Sequence, residues 1–144
     1  MSAEARIGKW LGPKRLDRDE LGRSGESRAA LHYRLRGWKV LGRNVREGGA
    51  EIDLIVGRRD TIVFVEVKTR TEGSVREPWE AVDSKKRLRI IRAAGRYLRR
   101  HRLTNKGVRF DVISIRWTGY RFRLTRFEDA FQPMASPGRP WLVE

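Results

Sequence analysis

The predicted order of elements (helix, three strands, helix, two strands) places this chain in the α/β class. The expected architecture is a mixed sheet of about five strands flanked by helices. Three observations carry that prediction. Charged and apolar residues alternate through Glu51-Ile52-Asp53-Leu54 before an apolar run to Val56, the pattern of a half-buried strand. β-Branched residues and Phe64 dominate Thr61 to Lys68, as strands favour. Leu88, Ile91, Ala94 and Leu98 recur at spacings of three, three and four, as one buried helical face requires.

Taken in order, residues 1–22 mix Gly8, Gly12, Pro13 and Gly22 with many charges and show no sustained period. They read as a basic, flexible N-terminal arm with at most one helical turn near Asp17–Leu21. Ser24 offers a helix cap, Ala29, Ala30, Leu31 and Leu35 supply apolar positions, and Gly37 stops the helix. Glu26 falls in the first turn of that helix. Trp38, Val40 and Leu41 begin a strand toward Asn44, and glycine-rich 46–50 turns the chain. Gly57–Asp60 then joins the two central runs as a hairpin.

Residues 70–80, with Gly73 and Pro78, form a polar loop. Asp83 or Ser84 caps the longest helix, placed near 84–101, which ends by Thr104–Gly107. Val108–Trp117 makes a strand, Thr118-Gly119 a turn, and Tyr120–Thr125 pairs back. Phe127–Phe131 reads as one helical turn, and the proline-rich residues 132–144 as an irregular tail. One domain over 23–131 therefore lies between an arm and a tail, as 144 residues allow.

Composition narrows the function. There is no cysteine, which removes disulfides, thiolate zinc sites and cysteine nucleophiles. With His32 and His101 the only imidazoles, metal chemistry must rest on carboxylates, which suit Mg²⁺ or Mn²⁺ rather than zinc. Lys and Arg number 33 against 18 acids, a net charge of +15, and 26 of the 33 are arginine. Such an excess points to nucleic acid, although charge says nothing about catalysis. No apolar run is long enough to span a membrane, no secretory signal is evident, and a cytoplasmic location is expected.

The hairpin carries the chemistry. If Gly57–Asp60 is the turn, Asp53 stands opposite Phe64 and Glu51 opposite Glu66. Alternation then puts Glu51, Asp53, Phe64, Glu66 and Lys68 on one face, and Ile52, Leu54, Val63, Val65 and Val67 on the core face. Asp53 and Glu66 become diagonal neighbours with Cα atoms roughly 7–8 Å apart. That gap admits a cation bound at about 2.1 Å by an oxygen from each. Phosphodiester hydrolysis needs a cation to activate water and neutralise phosphoryl oxygens, and a neighbouring lysine to stabilise developing charge. The bland account is a solvated strand face, and the residues alone leave both open.

Asp53, twelve residues, then Glu66-Val67-Lys68 resembles the PD-(D/E)xK motif of restriction-endonuclease-like nucleases. The wider text is more specific. Gly25-Glu26, Ala29, Asn44, Glu51 to Ile55, Val63 to Arg70, Ala81-Val82, Lys86, Ala93-Ala94, Tyr97-Leu98 and Arg109-Phe110-Asp111-Val112 together resemble the YraN family. This small bacterial family is similar to the archaeal Holliday-junction resolvases, and the match covers about residues 22–131.

The resemblance implies a restriction-endonuclease-like fold and a Mg²⁺- or Mn²⁺-dependent DNA endonuclease, active on branched or structured DNA. Asp53 and Glu66 match its metal-binding acids, Lys68 its catalytic lysine, and Glu26 a helix glutamate that reaches the metal centre in the resolvase relatives. The role of Glu51 is less settled. Two departures are Ala50, where a glycine usually precedes Glu51, and Ile52 in place of the motif's proline. The residues alone explain Glu26 equally well as an acid favoured by the helix dipole. Asp111 reads as structural, paired with Arg109 or another arginine.

Arg89, Arg92, Arg96 and Arg99 recur on one face of the second helix, with Lys85, Lys86 and Arg87 at its start. They read either as phosphate contacts or as an ordinary solvated face, and Lys86, which matches a lysine of the YraN family, stands near the helix start where it could face the site. The near absence of acids from Lys85 to Lys106 favours nucleic acid, and Arg70, just past Lys68, joins them by proximity. DNA is expected ahead of RNA as partner, and the dimeric resolvase relatives make a homodimer an expectation too. The competing class is a nucleic-acid-binding protein of nuclease-like fold without catalysis.

Overall fold

The computed structural model describes residues 15–73 and 84–133. Most of the expected tail and of the arm, and the expected features at Pro78, Trp79, Ala81-Val82 and Asp83, lie outside the described residues. Helix α1 spans Arg18–Arg34, and strands β1, β2 and β3 span Lys39–Glu47, Ala50–Arg58 and Thr61–Thr71. Helix α2 spans Ser84–Arg100, β4 spans Gly107–Trp117 and β5 spans Phe122–Phe127. The element order is the one the sequence predicts. The fold is α/β, with a five-stranded mixed sheet in spatial order β1-β2-β3-β4-β5, consistent with a nuclease-like fold.

Helix α1 begins earlier than expected. Asp17 caps it by accepting from the Glu20 N–H at 2.8 Å, and the Glu20 carboxylate accepts from the Asp17 N–H at 3.2 Å. This reciprocal capping box satisfies two orphan donors. Ser24 therefore lies inside the helix, and Glu26 sits in its middle rather than its first turn, so the dipole account of Glu26 falls away. Gly37, with φ +83, does stop the helix: Trp38 N–H reaches back to the Tyr33 carbonyl at 3.0 Å. The second helix is no longer than the first, at 17 residues each.

The helices cover opposite faces of the sheet. Ala29, Ala30 and Tyr33 of α1 pack on Leu54, Val56, Val63, Val65, Ile113 and Ile115. Ile90, Ile91, Ala94, Tyr97 and Leu98 of α2 pack on Ile52, Ile55, Phe64 and Phe110. The buried face of α2 is thus turned from the predicted one: Leu88 is exposed, and Ile90 and Tyr97 take its place. At Gly25 a Cβ would run into the side chain of Thr69. That glycine lets α1 approach β3 closely and brings its neighbour Glu26 toward the sheet.

Pairing is antiparallel for β1-β2, β2-β3 and β4-β5, and parallel for β3-β4, which run in register from Thr61↔Gly107 to Thr71↔Trp117. The β2-β3 turn is tighter than expected. Arg58 pairs with Thr61, leaving Arg59 (φ 54) and Asp60 as the loop, and Val56 pairs with Val63. Strand β5 runs through Phe127 and is followed by a turn, so no helical turn forms at Phe127–Phe131.

Asp111 ties these layers together. Its side chain is fully buried and accepts from Tyr33 Oη at 2.7 Å, Arg109 Nε and Nη2 at 2.8 and 2.9 Å, and the Asp129 N–H at 2.9 Å. Four donors on one carboxylate satisfy it as a buried charge requires. The structural assignment of Asp111, with Arg109 as partner, holds.

Candidate active site at the β2-β3 fork

The central strand β3 is paired on both sides, but its ladder with β2 is traced only as far as Leu54↔Val65. Continuing that register sets Asp53 directly across from Glu66, closer than the expected diagonal. The difference is a shift of two residues, which preserves each residue's face. At this point the Asp53 carboxylate accepts from the Val67 backbone N–H at 2.8 Å, so a side chain takes the place of the ladder and the strands fork.

The strict alternation expected for β2 also fails here. Ile52 packs in the layer beneath α2 whereas Leu54, two residues on, packs beneath α1. The neighbouring strand shows the cause. Arg43↔Leu54 and Val45↔Ile52 pair, while the intervening Asn44 adopts φ 48, a left-handed conformation tolerated by asparagine. β2 therefore turns over at Asp53, and Glu51 does not join Glu66. Glu51 lies exposed at the far end of β2, with Arg46 Nε at 3.6 Å.

Around the fork, Glu66 is 5% exposed and its Oε1 meets Lys68 Nζ at 3.3 Å and, in a short contact, Lys86 Nζ. Alternation on β3 gives Glu66 and Lys68 a common face, and the first turn of α2 brings Lys86 over it. Glu26 of α1 accepts from Asn44 Nδ2 at 3.2 Å. Its charge reaches the fork, where it acts on Asp53. Asp53, Glu66 and Lys68 are thus brought together as predicted, with Glu26 beside them.

Lys86, expected at the helix start as a phosphate contact or facing the site, is placed facing it, with its ammonium on Glu66. Asn44, quoted in the motif text without a role, is the residue the sequence reading missed: it anchors Glu26 and bends β1. Its only signal was an asparagine inside a strand. Arg70 lies two residues past Lys68 on the same face. Lys85, Arg89, Arg92 and Arg96 are exposed along α2 and Arg99 is half-buried.

The electrostatics follow from crowding. The Asp53 carboxyl is pushed up to about 7, first by burial, then by Glu66 and Glu26, against the Val67 N–H and Lys86. Burial and the adjacent Lys86 push the Lys68 ammonium down, against Glu66. For Lys86 burial is outweighed by Glu66 and Lys68, and its pKa rises. The two lysines therefore divide the work: Lys86 is the fixed cation, and Lys68 is the amine that more readily gives up a proton.

Among the described residues no three acidic, histidine or cysteine side chains form a ready-made metal cage. The donor set nevertheless fits a hard cation. Burial first, and then Glu66 and Glu26, push the half-buried Asp53 carboxyl up to about 7, and a cation would offset the negative charge that burial and crowding disfavour. Mg²⁺ characteristically takes one or two carboxylates and completes its shell with water and substrate phosphate.

A protein-family model described as "Uncharacterised protein family UPF0102" matches residues 25–115. The chain is a member of the UPF0102 (YraN) family. It is 42% identical over 111 residues to a UPF0102 protein of Syntrophotalea carbinolica, covering 77% of this chain and 90% of that one. Against UPF0102 proteins of Geobacter metallireducens and Bacteroides thetaiotaomicron the identities are 41% and 35% over 117 residues, covering 81% of this chain and 96% of each relative. The matched region of this UPF0102 protein runs from Gly25 through Ile115 and so contains Glu26, Asn44, Asp53, Glu66, Lys68 and Lys86.

Proposed function

We propose that this UPF0102 protein is a divalent-metal-dependent nuclease that hydrolyses phosphodiesters in DNA. The observation that carries the reading is the fork, where Asp53 and Glu66 crowd beside Lys68 in a protein of net charge +15. Perturbed acids and amines in one polar cluster are a signature of a working site. Asp53 and Glu66, with Glu26 completing the acidic cluster, would hold Mg²⁺ or Mn²⁺. Such an ion supplies Lewis acidity toward the phosphoryl oxygen and lowers the pKa of a bound water.

The residues of the chain supply the rest. The Val67 N–H fixes one oxygen of Asp53, and Asn44 fixes Glu26, so the acids are pre-oriented. Lys68, with its ammonium pKa pushed down, is suited to position or deprotonate the attacking water. Lys86 pairs with Glu66 and balances its charge. The arginines of α2 draw in the polyanion.

Binding without hydrolysis is the second reading, and the hold of Lys86 on Glu66 favours it. Cleavage of labelled single-stranded, duplex and four-way-junction DNA in Mg²⁺, Mn²⁺ or EDTA separates the two. We expect metal-dependent cleavage that falls about a thousand-fold in Glu66→Gln and in Asp53→Asn, equivalent to about 4 kcal/mol of transition-state stabilisation. Equal cleavage by wild type and both variants, or tight binding with no cleavage at all, would sink the nuclease reading.

A further inference from the structure

Away from the fork, the last turns of α2 meet the β1-β2 turn. An open cavity of about 460 Å³ lies there, lined by Glu47, Gly48, Arg96, Arg99 and Arg100. One carboxylate faces three guanidinium groups. That carboxylate, Glu47, is 4% exposed and meets Arg100 at 2.9 Å. Gly48 sits at φ +56, and a Cβ there would collide with the Arg96 guanidinium. Arg96 is therefore laid against the turn backbone.

Basic residues at a helix C-terminus are favoured by its dipole, and pairing with Glu47 accounts for Arg100. Neither explains Arg96. Its neighbours four positions away are Arg92 and Arg100, and like charges at that spacing destabilise a helix. A repeated penalty of this kind suits a surface that meets a polyanion, and guanidinium forks match phosphate oxygens.

Two routes fix where the cavity lies relative to the fork. Lys86 touches Glu66, and Arg96 follows ten residues later on α2, about 15 Å at 1.5 Å per residue. Along β2, Ala50, which follows the Gly48-Gly49 turn, precedes Asp53 by three residues, about 10 Å at 3.3 Å per residue. Both routes run along one layer because α2 packs on β1 and β2. With the duplex axis along α2, at 3.4 Å of axis per nucleotide, about 10–15 Å is about three to four nucleotides.

We infer that Arg96, Arg99 and Arg100, gathered over the Gly48 turn, form a second phosphate subsite that grips the DNA backbone about three to four nucleotides from the phosphate at the fork. Its register to a scissile phosphate rests on the nuclease reading, whereas its existence as a subsite does not. Phosphate contacts of this kind set position without reading sequence.

The test is a salt titration of binding to labelled duplex DNA in EDTA, so that no cleavage is needed. Arg96→Gln/Arg99→Gln keeps Arg100 on the buried Glu47, so the fold retains its ion pair; Arg123→Gln, exposed on β5, is the control. The slope of log K against log salt should fall by about 0.9 per lost contact, near two for the pair, and stay unchanged in the control. An unchanged slope in the double variant, or an equal fall in Arg123→Gln, would overturn the subsite. A protein that shows the fall but never cleaves loses the nuclease reading alone; one that cleaves normally with an unchanged slope loses the subsite alone.

Discussion

Asp111 and Asp53 are both drawn back from water, and their surroundings differ in kind. Asp111 receives four hydrogen bonds from Tyr33, Arg109 and the Asp129 backbone, so its charge is matched from every side. Asp53 receives one backbone hydrogen bond from Val67 and faces the carboxylates of Glu66 and Glu26. A matched buried charge locks neighbouring elements in place, whereas a crowded one keeps free energy in reserve for a ligand that relieves the crowding. The same residue type thus serves architecture at one point of the sheet and chemistry at another.

The contrast can be broken from the architectural side first. Asp111→Asn removes the buried charge around which Tyr33, Arg109 and the Asp129 N–H are arranged, and leaves Arg109 only the half-exposed Glu128 at 2.8 Å as an acidic partner. It should cost about 3–5 kcal/mol, read as a lower urea midpoint at unchanged slope. Tyr33→Phe removes one of the four donors, and the same titration should show a loss of about 1.5–3 kcal/mol, as for a hydrogen bond to a charged group. A loss below half a kcal/mol in both would mean that Asp111 is not the tie described here.

The smallest effect comes from the crowded side and sharpens the contrast. In metal-free protein the folded-state Asp53 holds its proton up to about 7, against 3.8 as its ordinary value. Between those values the folded state binds more protons than the unfolded one, so this group's contribution to stability falls as pH rises from about 4 to about 7. Asp53→Asn mimics the protonated form. Its stability relative to wild type should therefore improve across that window and level off above it. A relative stability that is flat or declines over the same range would refute the crowding.

Most of the sheet was legible in the sequence because alternation and β-branched runs report strands directly, and the faces of β3 survived an incorrect hairpin register because the error was two residues. What escaped was local backbone geometry. The start of α1 rests on Asp17 and Glu20, with few apolar positions before Ala29 to mark a helical stripe. The turn-over of β2 depends on the left-handed conformation of Asn44, which no period reveals. Asp53, Glu66 and Lys68 could be grouped from strand spacing alone. That Lys86 faces the site could be read from its place at the helix start and its family match, but its partner Glu66 could not, because the angle at which α2 crosses the sheet has no signature in its own residues. Leu88 misled for the same reason: a helix rich in arginine offers two overlapping apolar faces, and packing selects one.

The parallel pairing of β3 with β4 has a consequence for how the chain assembles. Thr61 must find Gly107, about 46 positions away, before any of that ladder can form, while the β2-β3 hairpin closes across a two-residue turn. Loop closure is entropically costlier over the longer span, and distant pairings slow folding. The acids of the fork on β2 and β3 are therefore joined by a short local closure, and the Asp111 clamp, which needs β4 and the turn after β5, belongs to the slow closure that completes the sheet.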